Sequence, residues 1–221
     1  MAVIEQWLSG RDFAKGDDLA RQMINFTYMI GDEQTKRAWL VDPAWDVQGI
    51  HVLVRARGFE LDSVLLTHWH PDHAGGEFLG FEAEGAARLR ELTGCAVRAH
   101  RAELPWLEQW SRLSTGSVTP FDAGDELALG DTRLRCVHTP GHTPGSTCYL
   151  VEGALFTGDV LFVGAIGRTD LPGADPEETD RTLHERLAVL PAETVVYPGH
   201  NYGSRRTSTL AEERRTNPYL K

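Results

Sequence analysis

The sequence predicts an α/β fold in which two mixed β-sheets lie face to face with helices on the outside. Three observations point there. Apolar runs occur in pairs around short Gly/Asp turns, as in hairpins. Stretches with apolar residues at helical spacing separate the pairs, as crossover connections do. The 221 residues, 41% of them hydrophobic, suffice for one large core. The chain therefore reads as a single domain over 1–221, without internal repeat or low-complexity linker.

Residues 24–30 and 38–41 are apolar runs around Gly31-Asp32-Glu33 and predict the first hairpin, which Asp42-Pro43 ends. Val47, Ile50, Leu53 and Val54 predict a helix over 47–56, closed by Gly58. The apolar run 63–67 reads as a buried strand. Ala86, Leu89 and Leu92 predict a helix over 82–92 ahead of Gly94. A short strand over 96–99 and a helix over 103–113, with Pro105 near its start, follow. Residues 77–118 thus make a helical insertion that carries Trp106 and Trp110, side chains suited to line a substrate mouth or to pack on the domain. Gly130-Asp131 joins strands 126–129 and 132–137, and Glu152-Gly153 joins strands 147–151 and 154–157. A helix over 177–190, a strand over 194–197 and a polar helix over 209–215 complete the chain.

The strand 63–67 runs into Thr67-His68-Trp69-His70-Pro71-Asp72-His73, three imidazoles and a carboxylate in six residues. That density of nitrogen and oxygen donors at a rigid strand end suits zinc, iron, manganese or nickel. One loop cannot complete two metal shells, so further donors are expected at other strand ends. His142 stands in Thr139-Pro140-Gly141-His142-Thr143-Pro144-Gly145, Asp159 follows Leu155-Phe156-Thr157-Gly158, and His200 follows Tyr197-Pro198-Gly199. Each has a glycine directly before it, which lets the backbone approach a site without a side-chain clash. Taken singly, such a turn or an Asp after Gly is ordinary turn chemistry. Their weight comes from standing together with the histidine loop. His51, His100, His138 and His184 lack this context and read as structural or surface residues.

The formal charge of −10 argues against a nucleic-acid partner, whose phosphates require basic patches. Cys95, Cys136 and Cys148 are odd in number and form no CxxC, so no disulfide framework is implied and a reducing, cytoplasmic setting is expected. The first ten residues lack a signal peptide's basic and apolar regions. No run approaches the ~18 apolar residues of a membrane span, so no membrane partner is expected.

With HWHPDH, His142, Asp159 and His200 in this order, the chain resembles the metallo-β-lactamase superfamily over nearly its whole length. The resemblance implies an αββα sandwich with its site at one edge of both sheets. It also implies two divalent metal ions, zinc in the first instance. His68, His70 and His142 would hold one, Asp72, His73 and His200 the other, and Asp159 would bridge them. Asp42 matches a family carboxylate that orients a ligand; from its own context, after Leu40-Val41, it reads equally as a strand-end turn residue. β-Lactamases of the superfamily usually have a cysteine where Asp159 stands, so the carboxylate is similar to the glyoxalase II-like branch.

Gly167-Arg168-Thr169-Asp170 resembles a segment shared by short glyoxalase II-like proteins and persulfide dioxygenases. On that likeness Arg168 and Tyr202 would contact a small-molecule substrate such as a glutathione conjugate. Read on their own, Arg168 would pair with Asp170 and Tyr202 would pack in a wall. The implied reaction is hydrolysis of a thioester or ester. Two cations sharing a water lower its pKa toward ~7, the resulting bridging hydroxide attacks the carbonyl, and the cations stabilise the oxyanion. Asp72 and Asp159 would be the catalytic carboxylates, Asp72 steering the nucleophile. No GxSxG supplies a serine nucleophile. Three other readings stay open. A persulfide dioxygenase would use one Fe(II) at His68, His142 and Asp159, a two-His, one-carboxylate set suited to dioxygen. A lactonase would use the hydrolytic site. A non-catalytic binding module would have lost ligands, and all seven stand here. A homo-oligomer is compatible with any of these.

Overall fold

Side-chain alternation sets the layers. In the strand Phe26–Asp32, Tyr28 and Ile30 face one way and Met29 the other, and all three are buried. The same split recurs in Arg37–Val41, where Trp39 and Val41 part from Leu40, and in Ala154–Gly158, where Phe156 parts from Leu155. Strands buried on both faces lose the polar alternation and read as continuous apolar runs. Tyr28, Ile30, Trp39, Val41, Tyr149 and Phe156 form the core between the sheets. Met29 and Leu40 instead join Ile50, Val54 and Leu89 in a core that includes residues of the helices Val47–Ala56 and Ala86–Thr93. Leu155 and Val196 pack with Leu183 and Leu187 on the other outer face. The result is the expected α/β sandwich of two mixed sheets flanked by helices. The computed structural model describes residues 1–78 and 80–221; Leu79, inside the predicted insertion, lies outside the described residues.

One sheet runs Ala2–Leu8, Phe26–Asp32, Arg37–Val41, Glu60–Leu65, Ala96–His100, Val118–Phe121, antiparallel over its first three strands and parallel thereafter. The other runs Ser208–Thr209, Val195–Pro198, Ala154–Gly158, Thr147–Val151, Thr132–His138, Glu126–Leu129, with Ala154–Gly158 and Val195–Pro198 parallel and the other joins antiparallel. Arg37–Val41 and Glu60–Leu65 are also parallel. The carboxyl ends of these two parallel pairs deliver Asp42, the histidine loop, Asp159 and His200, and carboxyl ends are where α/β sheets place ligands.

The hairpins form where expected, although Gly31 and Asp32 pair with Ala38 and Arg37 within the strand, so the first turn spans residues 33–36. Glu152 and Gly153 both adopt positive φ, as a two-residue type I′ connection requires. Three predicted helices are corrected. The one expected over 82–92 begins at Ala86, and Phe81–Ala83 is instead a strand against Gly76–Phe78. Glu84 is held extended because its carbonyl accepts from the Trp45 amide at 2.9 Å, and Gly85 lies so close to Ala74 that a Cβ would sit 2.2 Å from its carbonyl. The helix expected over 103–113 is a tight turn, Arg101–Glu103, followed by Leu104–Trp110. The helix expected over 177–190 starts at Pro176 under an Asp175 cap and widens into a π-turn over Thr182–Arg186. The sequence reading missed the edge strand Ala2–Leu8 and the helix Asp18–Met23.

Candidate metal centre

The loop after Glu60–Leu65 is fixed by its neighbour Asp42, which holds positive φ and accepts from the Thr67 amide at 2.8 Å and the Thr67 hydroxyl at 2.6 Å. Pro71 then opens the single helical turn Pro71–Ala74, which projects Asp72 and His73 inward. All seven predicted donors meet at one edge of the sandwich. His68, His70 and His142 form one group and Asp72, His73 and His200 another, with ligand atoms within 4.8 Å of one another in each. Asp159 faces both. Its Oδ1 lies 3.2 Å from His73 Nε2 and 3.4 Å from His200 Nε2, and its Oδ2 lies 3.8 Å from His142 Nε2. Asp42, His68 and His73 form a third, overlapping group.

The ring orientations are set from behind. His73 Nδ1 lies 2.9 Å from Asp42 Oδ2, His142 Nδ1 2.7 Å from the Arg168 carbonyl, and His200 Nδ1 2.7 Å from the Met23 carbonyl. Each acceptor takes the Nδ1 proton and leaves the Nε2 lone pair pointing into the site, as a ligating histidine requires. His73 Nε2 and His200 Nε2 are then 3.1 Å apart, and His142 Nε2 is 2.9 Å from His70 Nδ1. Facing lone pairs at that range repel unless a cation or proton lies between them. His68 Nε2 is buried without a hydrogen-bond partner among the described residues. These features fit metal ions, and unpaired polar atoms of this kind are otherwise expensive to bury.

The electrostatics divide the two groups. Burial, reinforced by the neighbouring histidines, drives His68 far below the usual imidazole range and His70 to about 3, so both are neutral. Burial opposes charging His200 too, but Asp159 and Asp72 outweigh it and lift it to about 9; His73 is raised in the same way. Burial works against ionising Asp72 and Asp159, yet His73 and His200 hold both well below the carboxylate range. His68 and His70 are thus neutral and ready to ligate, whereas His73 and His200 hold protons beside Asp72 and Asp159 that a bound cation would displace. Gly199 permits the closeness, since a Cβ there would stand 2.5 Å from Asp159 Oδ1.

A cleft of about 400 Å³ opens onto Asp159, with Met23, Phe162, Ile166 and Leu171 forming its apolar wall. Arg168 and Tyr202 both line it. Arg168 makes the two-pronged pair with Asp170, at 2.8 and 2.9 Å. Tyr202 stacks on His200 with ring centroids 4.6 Å apart. Trp106 and Trp110 do not line the cleft; they stack on Trp69 of the histidine loop, at 5.4 and 6.1 Å.

Sequence reasoning missed two buried polar residues. Glu103, at the end of the turn Arg101–Glu103, accepts from the Gly145 amide at 2.6 Å and the Thr143 hydroxyl at 2.9 Å, and so ties that turn to the His142 loop. Asn25 donates to Asp72 Oδ2 at 2.9 Å. Neither stands in a donor-rich motif, so nothing local in the sequence marks them.

Residues 21–200 match the model of the metallo-beta-lactamase superfamily. The chain is 34% identical to the probable metallo-hydrolase YqgX of Bacillus subtilis, covering 89% of this chain and 92% of that one. It is 31% identical to the mitochondrial persulfide dioxygenase ETHE1 of Homo sapiens, covering 100% of this chain and 83% of the relative. Among solved structures, TTHA1623 in a di-iron-bound form superposes with a TM-score of 0.73 at 31% identity, covering 90% of this chain and 96% of that one.

Proposed function

Because the chain belongs to the metallo-beta-lactamase superfamily, we propose that it is a metal-dependent hydrolase of thioesters or esters, with a glyoxalase II-like donor set and two divalent ions. The observation that carries this reading is the second donor group. Asp72, His73 and His200 converge beside Asp159, with their outer atoms already engaged by Asn25, Asp42 and Met23. His68, His70 and His142 would hold the first ion, and Asp159 would reach both through its two oxygens. Ions bound there would supply Lewis-acid polarisation of the scissile carbonyl and a lowered pKa for the attacking water.

The chain's own groups do the rest. The apolar wall of Met23, Phe162, Ile166 and Leu171 holds the acyl portion and excludes bulk water. Asp72, ionised and fixed by Asn25, stands where it can orient the nucleophile. Arg168 and Tyr202 line the same cleft and would receive the leaving group, a substrate carboxylate there sharing or replacing the pair of Arg168 with Asp170.

The persulfide dioxygenase reading is supported by the human relative, which matches this chain from end to end. It would require only His68, His142 and Asp159 around one iron. Elemental analysis of protein purified without added metal, run beside a thioester, lactone and glutathione persulfide panel, separates the readings. Two ions per chain with thioester cleavage support the hydrolase. One iron with oxygen uptake on the persulfide overturns it, and lactone turnover alone redirects it to a lactonase.

A further inference from the structure

Ile24 and Asn25, expected to open the first hairpin strand, instead precede it, since the strand begins at Phe26, and with Met23 they lie against the second donor group. The backbone reverses at Ile24, which holds positive φ at the end of the helix Asp18–Met23. Its neighbours then bond to the His200 turn: the Phe26 amide donates to the Gly199 carbonyl at 2.8 Å and the Asn201 amide to the Ile24 carbonyl at 3.0 Å. The Met23 carbonyl takes the His200 Nδ1 proton. The Asn25 side chain, 1% exposed, faces Asp72.

The Asn25 amide can point only one way. The Trp45 indole N–H lies 3.0 Å from Oδ1, and an indole nitrogen is a donor only. Oδ1 must therefore face Trp45, which aims Nδ2 at Asp72 Oδ2 at 2.9 Å, with His73 Nε2 and His200 Nε2 each 3.4 Å away. No comparable contact runs from Asn25 to His68, His70 or His142 among the described residues.

We propose that Asn25, braced by Trp45, is a positioning residue for Asp72 that sets the occupancy of the Asp72–His73–His200 position alone. It thereby decides whether the chain operates with one ion or two. The inference rests on the reading that the two donor groups hold metal. By holding Asp72 Oδ2, which lies 3.4 Å from His73 Nε2 and 3.3 Å from His200 Nε2, it fixes the carboxylate oxygen that faces the donor group, the kind of support whose loss weakens binding roughly 10–100-fold.

The test titrates metal-stripped protein with Co(II), following visible absorption and the number of ions bound. Wild type takes up two equivalents. Asn25→Ala retains one at near wild-type affinity and loses affinity for the other by roughly 10–100-fold. Trp45→Phe, which keeps the ring and removes the indole donor, shifts the same equivalent in the same direction. A merely structural defect would weaken both equivalents together, and that result overturns the proposal. So does unchanged two-site binding in Asn25→Ala. A wild type that binds no Co(II), or only one ion, overturns the two-metal reading itself and is thereby distinguished from failure of the inference.

Discussion

Glu103→Gln should abolish a loss of stability that the wild type suffers as pH rises. Glu103 is fully buried, and burial lifts its carboxyl from an ordinary 4.5 to about 7 against the opposing bonds from Thr143 and Gly145. The folded state therefore keeps a proton that the unfolded chain releases. Between pH 4.5 and 7 the unfolded chain binds fewer protons, so stability falls as pH rises, and the loss is complete above the folded value. Integrated from pH 5 to 8, this one group costs roughly 2–3 kcal/mol. Glutamine mimics the protonated acid and does not titrate. Urea unfolding of the metal-stripped wild type and variant at both pH values isolates Glu103, because the remaining titrating groups are shared. The variant should gain on the wild type by roughly 2–3 kcal/mol on going from pH 5 to pH 8. A constant difference would mean that the carboxylate ionises in the fold at its ordinary value, and the argument from burial would be refuted.

Asp159→Ala should strip most of the metal and nearly all turnover, because one side chain faces both donor groups; elemental analysis showing full metal retention would contradict the bridging role. Arg168→Ala should raise KM for a glutathione thioester roughly tenfold with little change in kcat, the low end for an exposed charge-assisted hydrogen bond. Unaltered kinetics would leave Arg168 as the partner of Asp170 only. Phe156→Ala should lower stability by about 3–5 kcal/mol, since its ring packs on Tyr28 and Tyr197 between the sheets. A shift in urea midpoint at constant slope measures it, and a cost under about 1 kcal/mol would mean that the layer repacks.

What was legible in the sequence was what depends on short-range pattern. Turn glycines located the hairpins, and one residue class (His and Asp at strand ends) located the donors, because both signals are local. The helix over 47–56 was found to the residue, since its apolar stripe and Gly58 are both local. The start of the next helix was misplaced because Glu84 is held extended by Trp45, thirty-nine positions away, and no window of sequence contains that bond. The edge strand Ala2–Leu8 escaped notice for a related reason. Only one edge of it is paired, with Phe26–Asp32, and Ala2 to Gln6 are half-buried or more exposed, so alternation is weak. Glu103 and Asn25 are ordinary polar residues until the fold buries them beside the ligand loops.

The two donor groups rest on different supports, and that division bears on how one residue set can serve different chemistries. His70 and His142 sit in loops buttressed by the segment 101–110, through the Trp69–Trp106–Trp110 stack and through Glu103. Asp72 and His200 are held by the N-terminal segment, through Asn25 and the Met23 carbonyl. Slackening the second support would leave the first group and Asp159 in place, which is a one-ion site built from unchanged ligands. A probable metallo-hydrolase and a persulfide dioxygenase are both about one-third identical to this chain. Overall identity alone therefore says little about which reaction is run. The residues behind the ligands, Asn25 and Trp45 on one side and Glu103 on the other, are where ion number, and with it reaction class, would be decided.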